Sequence, residues 1–162
     1  MNLTESVFAV LLSLPGVDPA YADTTAHAIA TAAPTPERAA LLISVGYHES
    51  KFMPRIGRGE CLTYTGRGGV VFRECDAGRA RGFWQVQRTS LAPEFDRLLG
   101  LDVETVTLAA VVADRILQRG RRACRTTEGS VSYFARGNCR IWPGAKRRAL
   151  LAESIERRLT GG

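Results

Sequence analysis

The sequence predicts an α+β protein that is mainly helical and carries one small β-hairpin. Apolar residues recur with helical spacing through the first and last parts of the chain, whereas a glycine-rich stretch between residues 55 and 81 holds two short strand-like segments. With 162 residues, of which 45% are hydrophobic, the chain is long enough to bury one core. We therefore expect a single domain over residues 1–162.

Two short helices are predicted at the start of the chain. Thr4 is the expected N-cap of the first, over residues 5–14, which a proline-glycine pair ends. Asp23 is the expected N-cap of the second, which is rich in alanine and runs to Ala33. Both helices should pack on the domain through their apolar faces.

A third helix is predicted to form the centre of the domain. Thr35 supplies an N-cap, Pro36 fits the first helical position and Glu37 lies near the positive end of the helix dipole. Residues 39–46 are apolar almost all round, which is typical of a helix that is buried on every side. Glu49 lies where this apolar run ends, so its carboxyl group should be half shielded from water.

The glycine-rich stretch predicts a β-hairpin. Its strands are expected over residues 62–65 and 70–73, joined by a turn over 66–69, and Cys61 and Cys75 flank the pair. A phosphate-binding loop is not expected here, because neither Gly-x-x-x-x-Gly-Lys-Ser/Thr nor a Gly-x-Gly-x-x-Gly that opens a helix is present.

Four cysteines make two local pairs in the sequence, Cys61 with Cys75 and Cys124 with Cys139. Two local disulfides are the simplest pairing, and each would close a loop of about 15 residues and contribute about 3 kcal/mol in the chain-entropy model. Sequence alone leaves the other connectivities open, together with a zinc site and buried free thiols. Disulfides would imply activity outside the reducing cytosol.

Four further helices are predicted in the second half of the chain. Their expected spans are residues 90–99, 104–119, 129–135 and 145–159. Gly120 is the expected end of the second of these helices. The last helix is amphipathic, and its polar face is basic.

The chain is basic, with 22 Lys and Arg against 16 Asp and Glu and a net charge of +6. Such a charge favours a polyanionic partner, which could be nucleic acid, an anionic membrane surface or an acidic cell-wall polymer. We expect no nucleic-acid partner, because no nucleic-acid-binding module accompanies the basic clusters at residues 119–122, 146–148 and 157–158. We also expect a monomer without stable membrane insertion, since the apolar N-terminal segment is too short to span a bilayer.

The N-terminal segment does not match a secretory signal peptide. Residues 7–14 are apolar, but no Lys or Arg precedes them. Beside the expected disulfides, this predicts a protein that acts outside the cytosol, in the periplasm or cell wall. It would be delivered as a phage-type lysin or exported by another route.

Three short motifs resemble, in order, those of soluble lytic transglycosylases and goose-type lysozymes. They are Tyr-His-Glu-Ser-Lys-Phe over residues 47–52, Gly-Phe-Trp-Gln-Val over 82–86 and Tyr-Phe-Ala-Arg-Gly over 133–137. The resemblance covers about residues 39–138 and implies a lysozyme-like domain in which the hairpin lines a glycan cleft. It also implies cleavage of the β-1,4 bond between N-acetylmuramic acid and N-acetylglucosamine in peptidoglycan.

By the resemblance, Glu49 is the catalytic acid. The chemistry agrees, because cleaving a glycosidic bond requires a proton donor to a poor leaving oxygen, and a partly desolvated carboxyl group is suited to that role. No metal or organic cofactor is required. The alternative is a glutamate placed at a helix end for solubility, although the negative end of the helix dipole disfavours a carboxylate there.

The same resemblance assigns substrate contacts to the second and third motifs. Ser50 would orient Glu49 or its neighbours, and the stretch from Gly82 through Phe83 and Trp84 to Gln85 would line the glycan cleft. The two aromatic residues could equally belong to the core. Tyr133 would supply a hydroxyl group near the acid.

A second carboxylate would complete an inverting hydrolase, in which it activates water roughly 6.5–9.5 Å from the acid. The resemblance to goose-type lysozymes points to Asp76, nine positions before Gln85, with Glu60 and Glu74 as alternatives. Asp76 could instead form an ordinary Asx turn at the exit of the hairpin.

Two departures from the family pattern concern the support of the acid. Gln87 stands where goose-type enzymes carry a further Asp, and Phe134 stands where the family has Tyr, with Tyr133 one residue early. Four hypotheses stay open on the sequence: hydrolysis with Asp76 as base, transglycosylation by Glu49 alone to 1,6-anhydro ends, a non-enzymatic wall-binding or structural module, and a basic helical nucleic-acid-binding domain.

Overall fold

The computed structural model describes residues 2–65, 67–89 and 92–161. Its helices are α1 (Leu3–Ser13), α2 (Pro19–Ala32), α3 (Pro36–Ser50), α4 (Pro54–Gly57), α5 (Val103–Cys124), α6 (Thr127–Arg136) and α7 (Pro143–Leu159). Its strands are β1 (Glu60–Tyr64), β2 (Val70–Glu74), β3 (Ala80–Arg81) and β4 (Val86–Gln87). The predicted mainly helical α+β class is confirmed.

The first two helices begin earlier than predicted, at different caps. Asn2, not Thr4, caps α1, because its side chain accepts from the Glu5 N–H while the Glu5 carboxylate accepts from the Asn2 N–H. Asp18, not Asp23, caps α2, since its carboxylate accepts from Ala20 N–H and a proline occupies the first helical position. In both cases a better-placed cap lies less than two turns upstream of the predicted one.

Helix α3 begins as predicted, with Thr35 as N-cap and Pro36 at its first position. It is the central helix, because its residues from Ala39 to Gly46 are all buried. α7 packs along α3, while α5 packs against α2 and α6. This arrangement brings the C-terminal end of α3, which carries Glu49, against α7, which in turn packs on α6.

The predicted hairpin is present. β1 and β2 pair antiparallel with Leu62 opposite Phe72, and Gly66 of the predicted turn lies outside the described residues. Disulfides join Cys61 to Cys75 and Cys124 to Cys139, as the local pairing predicts. All four cysteines are therefore bonded, which rules out the zinc-site and free-thiol alternatives.

The helix predicted over residues 90–99 is wrong for the part that the structure describes. Residues 90 and 91 lie outside the described ranges, and the remainder forms turns around a short 3₁₀ helix, Phe95–Arg97. Pro93 lacks an N–H donor, and the buried side chains of Phe95 and Leu98 anchor the segment to the core. Tertiary packing therefore determines the path of this connection.

Gly120 does not end α5, which continues to Cys124. The glycine is a point of close approach between helices, because a Cβ there would lie 2.8 Å from Tyr133 Cβ and 3.0 Å from the Ser130 carbonyl oxygen of α6. α6 and α7 begin two residues earlier than predicted. Among the described residues, no helix combines the length and apolar character that crossing a bilayer requires.

Candidate active site

Glu49 faces a cavity of about 230 Å³ at the C-terminal end of α3. Its side chain is 22% exposed, so the carboxylate is shielded but open to the cavity. Among the described residues, Glu49 is the only carboxylate that lines this cavity. The remaining lining residues are polar, basic or aromatic: Gln85, Gln87, Phe134, Ala135, Arg136, Trp142 and Arg148.

Arg148 of α7 forms an ion pair with Glu49 through its Nη1 and the carboxylate Oε1. The Arg148 side chain is only 12% exposed, and its guanidinium lies 5.4 Å from the centre of the Trp142 ring. Arg136 lies over the same ring at 4.5 Å. Trp142 therefore holds two cations at the cavity wall by cation–π contact.

The register between α3 and α7 fixes the place of Arg148. The buried Ser44 hydroxyl donates to the Arg148 carbonyl oxygen at 2.7 Å, about one helical turn before Glu49. Trp142 lies directly over Gly144, where a Cβ would come within 1.7 Å of the indole ring. The first contact needs the hydroxyl group of Ser44, and the second needs a residue without a side chain at position 144.

The backbone on either side of the cavity is strained. Lys51 and Phe52, which follow Glu49, have φ values of 50° and 53°, and Gln85 has a φ of 48°. Left-handed conformations of this kind cost about 1–3 kcal/mol each in non-glycine residues and cluster at functional sites. The packed rings of Phe52 and Trp84, with centroids 5.8 Å apart, hold the turn in place.

Ser50 organises the turn after Glu49. It is 3% exposed, and its hydroxyl donates to the Gly46 carbonyl oxygen at 3.1 Å and accepts from Phe52 N–H at 3.0 Å. Both contacts hold the neighbouring backbone, and the orienting role of Ser50 toward Glu49 stays a prediction. Direct contact between Ser50 and a glycan is ruled out by this burial.

Of the two alternatives for Phe83 and Trp84, glycan contact is wrong and a place in the core is confirmed. Their side chains are 2% and 0% exposed, and the Trp84 indole N–H donates to the Leu42 carbonyl oxygen of α3 at 2.9 Å. A Cβ on Gly46 would meet the Phe52 ring at 2.6 Å and Trp84 Nε1 at 2.8 Å, so position 46 of α3 must be a glycine. The two aromatic residues support the C-terminal part of α3.

Gly82 and Gln85 form the turn that reaches the cavity. Gly82 is buried with a φ of 70°, and a Cβ there would lie 3.0 Å from the Leu98 carbonyl oxygen. The Gln85 side-chain amide donates to the Gly82 carbonyl oxygen at 2.9 Å. Of these two residues only Gln85 lines the Glu49 cavity, and Gly82 permits the turn that presents it.

The structure does not bring Asp76 into the Glu49 cavity. Asp76 is exposed on the turn after β2, with a φ of 48°, and its carboxylate accepts from Arg79 at 2.9 Å. Of the alternatives, Glu60 lies 3.4 Å from Arg58 in an exposed pair, and Glu74 is also exposed. The predicted acid and its predicted base therefore lie in different surroundings.

Residues of the third motif line the Glu49 cavity, but among the described residues none of them donates a hydrogen bond to Glu49. Phe134 is 6% exposed and lines the Glu49 cavity, whereas the half-buried Tyr133 lines an adjoining cavity. Among the described residues, the donor to Glu49 is Arg148. The side chain that contacts Glu49 is therefore an arginine and not the predicted tyrosine.

Arg148 is the site residue that the sequence analysis missed. It belongs in sequence to the basic cluster at residues 146–148, but its helical spacing distinguishes it from the rest of that cluster. Ala145, Ala149 and Ala152 form the buried stripe of α7, and Arg148 falls within that stripe. A cation inside a buried helical face indicates a buried anionic partner.

The chain matches no protein-family model, no curated protein and no solved structure. The family resemblance therefore depends on the three short motifs themselves. The geometry around Glu49 is a separate reason to expect a functional site there, because it does not depend on the motifs.

Proposed function

We propose that the protein is a peptidoglycan-degrading glycosidase that cleaves the β-1,4 bond between N-acetylmuramic acid and N-acetylglucosamine, with Glu49 as general acid. The observation that carries the proposal is a half-shielded carboxylate facing a cavity at the end of a buried helix. The strained turns at Phe52 and Gln85 support it, because such strain is retained where function requires a particular geometry. The two disulfides are compatible with action outside the cytosol.

In the first step, protonated Glu49 donates its proton to the glycosidic oxygen while the bond from that oxygen to C1 of the muramyl sugar breaks. Positive charge then develops at C1, and negative charge develops on Glu49. Arg148 is placed to stabilise that new carboxylate, since its guanidinium already contacts the Oε1 atom. While Glu49 carries the proton, Arg148 faces a neutral carboxyl group, and the ion pair forms again as the proton is given up.

Transglycosylation is the branch that the cavity favours. The muramyl C6 hydroxyl attacks C1, the Glu49 carboxylate takes the hydroxyl proton, and a 1,6-anhydro end forms while the acid regains its proton. This route needs one carboxylate, which matches the lining of the cavity among the described residues. Inverting hydrolysis with Asp76 as base would require the exposed Asp76 turn to approach the cavity.

The direct test is the substitution Glu49→Gln, which keeps the size and shape of the side chain but removes the proton donor. We expect clearing of a peptidoglycan suspension to fall by roughly 10²–10⁴-fold, the usual contribution of a general acid. Unchanged far-ultraviolet circular dichroism would show that the fold persists. Equal clearing by the variant and the wild-type protein would remove Glu49 from catalysis.

Mass spectrometry of the released fragments separates the two branches. Anhydro ends, which are lighter than reducing ends by one water, identify transglycosylation. Reducing ends identify hydrolysis and would direct attention back to Asp76.

A non-enzymatic wall-binding module is the second candidate, and the Glu49–Arg148 ion pair is the observation that favours it, because a paired carboxylate can be purely structural. Sedimentation with insoluble peptidoglycan tests this alternative. Retention of the protein on the wall without release of any soluble fragment would support binding alone. Fragment release that depends on Glu49 would exclude it.

A further inference from the structure

A second cavity, of about 450 Å³, adjoins the Glu49 cavity. The two cavities share Gln87, Phe134 and Arg136 as lining residues, so they lie side by side along one wall. We call the second one the arginine cavity, because Arg115, Arg119 and Arg136 all line it. Its volume is within the range of ligand-binding pockets.

The arginine cavity carries an excess of positive charge. Among the described residues, none of those lining it is a carboxylate. Arg115 is already neutralised, because it donates to both oxygens of Glu94, at 2.9 and 2.7 Å, and this contact lowers the pKa of Glu94 to about 2. Within the described ranges, Arg119 and Arg136 form no ion pair, so two guanidinium charges are left uncompensated.

The floor of the cavity is apolar. Ile116 and Phe134 are 7% and 6% exposed, and the half-buried Tyr133 stands beside them. Arg115, Arg119 and Arg136 are themselves exposed, and they border this concave, partly apolar wall. Such a wall strengthens contacts between guanidinium groups and a bound anion.

We propose that the arginine cavity is a subsite for a carboxylate-bearing peptide substituent on the sugar next to the bond that Glu49 cleaves. The shared wall carries this inference, because a group that enters the arginine cavity can be joined covalently to a sugar in the Glu49 cavity. Arg119 and Arg136 supply planar forks that match a carboxylate. The proposal depends on the glycosidase function, and it adds a preference for peptide-bearing over peptide-free glycan strands.

Arg119→Gln is the variant that tests the subsite, since Arg119 lines the arginine cavity and not the Glu49 cavity. The matched control is Arg122→Gln, which removes the same charge from an exposed position one turn along α5 and lines neither cavity. Rates are measured on peptide-bearing strands and on strands stripped by an amidase. The quantity compared is the rate on peptide-bearing strands divided by the rate on stripped strands. We expect this ratio to fall about tenfold or more in Arg119→Gln, as for loss of a charged hydrogen bond, and to stay unchanged in Arg122→Gln.

Binding measurements separate failure of the subsite from failure of the glycosidase. Titration of both strand types into the Glu49→Gln protein, with and without Arg119→Gln, needs no turnover. Tighter binding of peptide-bearing strands that is lost with Arg119 supports the subsite, even when the wild-type protein cleaves nothing. Cleavage without any peptide preference overturns the subsite and leaves the glycosidase intact. Selective binding of a phosphate-bearing wall polymer over peptide-bearing strands also overturns it.

Discussion

Glu49 and Asp114 are both paired with an arginine, but their surroundings differ. Asp114 of α5 is 4% exposed and accepts from Arg38 and from Gln118 Nε2 at 3.2 Å, while Arg38 also donates to the Ala32 carbonyl oxygen. Glu49 accepts from Arg148 among the described residues, and its carboxylate borders a cavity. One carboxylate is enclosed by partners and the other is open to a ligand.

The comparison shows how a structural ion pair differs from one at a candidate site. The Arg38–Asp114 pair joins α3 to α5, and its hydrogen bond raises the pKa of Arg38. A buried Asp114 without partners would be an isolated charge, which is costly. Arg38 and Gln118 satisfy its carboxylate by hydrogen bonds. Among the described residues Glu49 has Arg148 as its partner, which leaves its carboxylate accessible for the proton transfer proposed above.

The largest effect that we expect on stability is from Arg38→Met. The substitution leaves the buried Asp114 charge without its cation and should lower the free energy of unfolding by about 3 kcal/mol. Urea denaturation measures the change, with Arg38→Lys as the charge-conserving control. If Arg38→Met changed stability no more than an exposed arginine does, the Asp114 pair would not be the structural member of the comparison.

Arg148→Met should affect activity more than stability. The methionine can still pack on Trp142, and the unpaired Glu49 can be hydrated from the cavity, so we expect the stability loss to be smaller than for Arg38→Met. Wall-clearing activity should fall by roughly 10–100-fold, which corresponds to loss of one hydrogen bond to a charged group.

The lysine variant of Arg148 distinguishes positioning of Glu49 from mere support of the fold. Arg148→Lys keeps a cation near Glu49 and should recover part of kcat, and the KM for peptidoglycan should change less than kcat. A variant Arg148→Met that is as unstable as Arg38→Met, with full activity per folded molecule, would make the Glu49 pair structural as well.

The smallest effect concerns the more exposed Arg115–Glu94 pair. The pKa of Glu94 is lowered from 4.5 to about 2, chiefly by the hydrogen bond from Arg115. Its contribution to stability is therefore complete above pH 4.5 and is lost as the pH falls toward 2. We expect Glu94→Gln to cost about 1 kcal/mol or less at neutral pH.

The pH dependence of that difference provides the check. Thermal unfolding of the wild-type and Glu94→Gln proteins should converge between pH 4.5 and 2, because protonation removes the same charge in the wild-type protein. A gap that stays constant over this range would mean that the Glu94 carboxylate contributes nothing through its charge.

Much of the fold could be predicted because its signals are local. The Thr35 cap, the hairpin and the pairing of Cys61 with Cys75 each depend on residues within one turn or one loop. The errors arose where neighbouring signals compete or where packing overrides them. Asp18 and Asp23 are both acceptable caps, and Gly120 could end a helix or admit a neighbouring one.

The sequence by itself determined where the candidate acid lies, because an apolar run of helical spacing places Glu49 at the end of the buried α3. Only the tertiary structure decided which residues surround it. Arg148, 99 positions away, meets Glu49 only when α7 packs on α3, and Trp84 becomes buried only beneath that helix. Asp76 stays apart because its turn is bonded locally to Arg79. Propensity and capping act over a few residues, whereas packing between helices brings distant charges together.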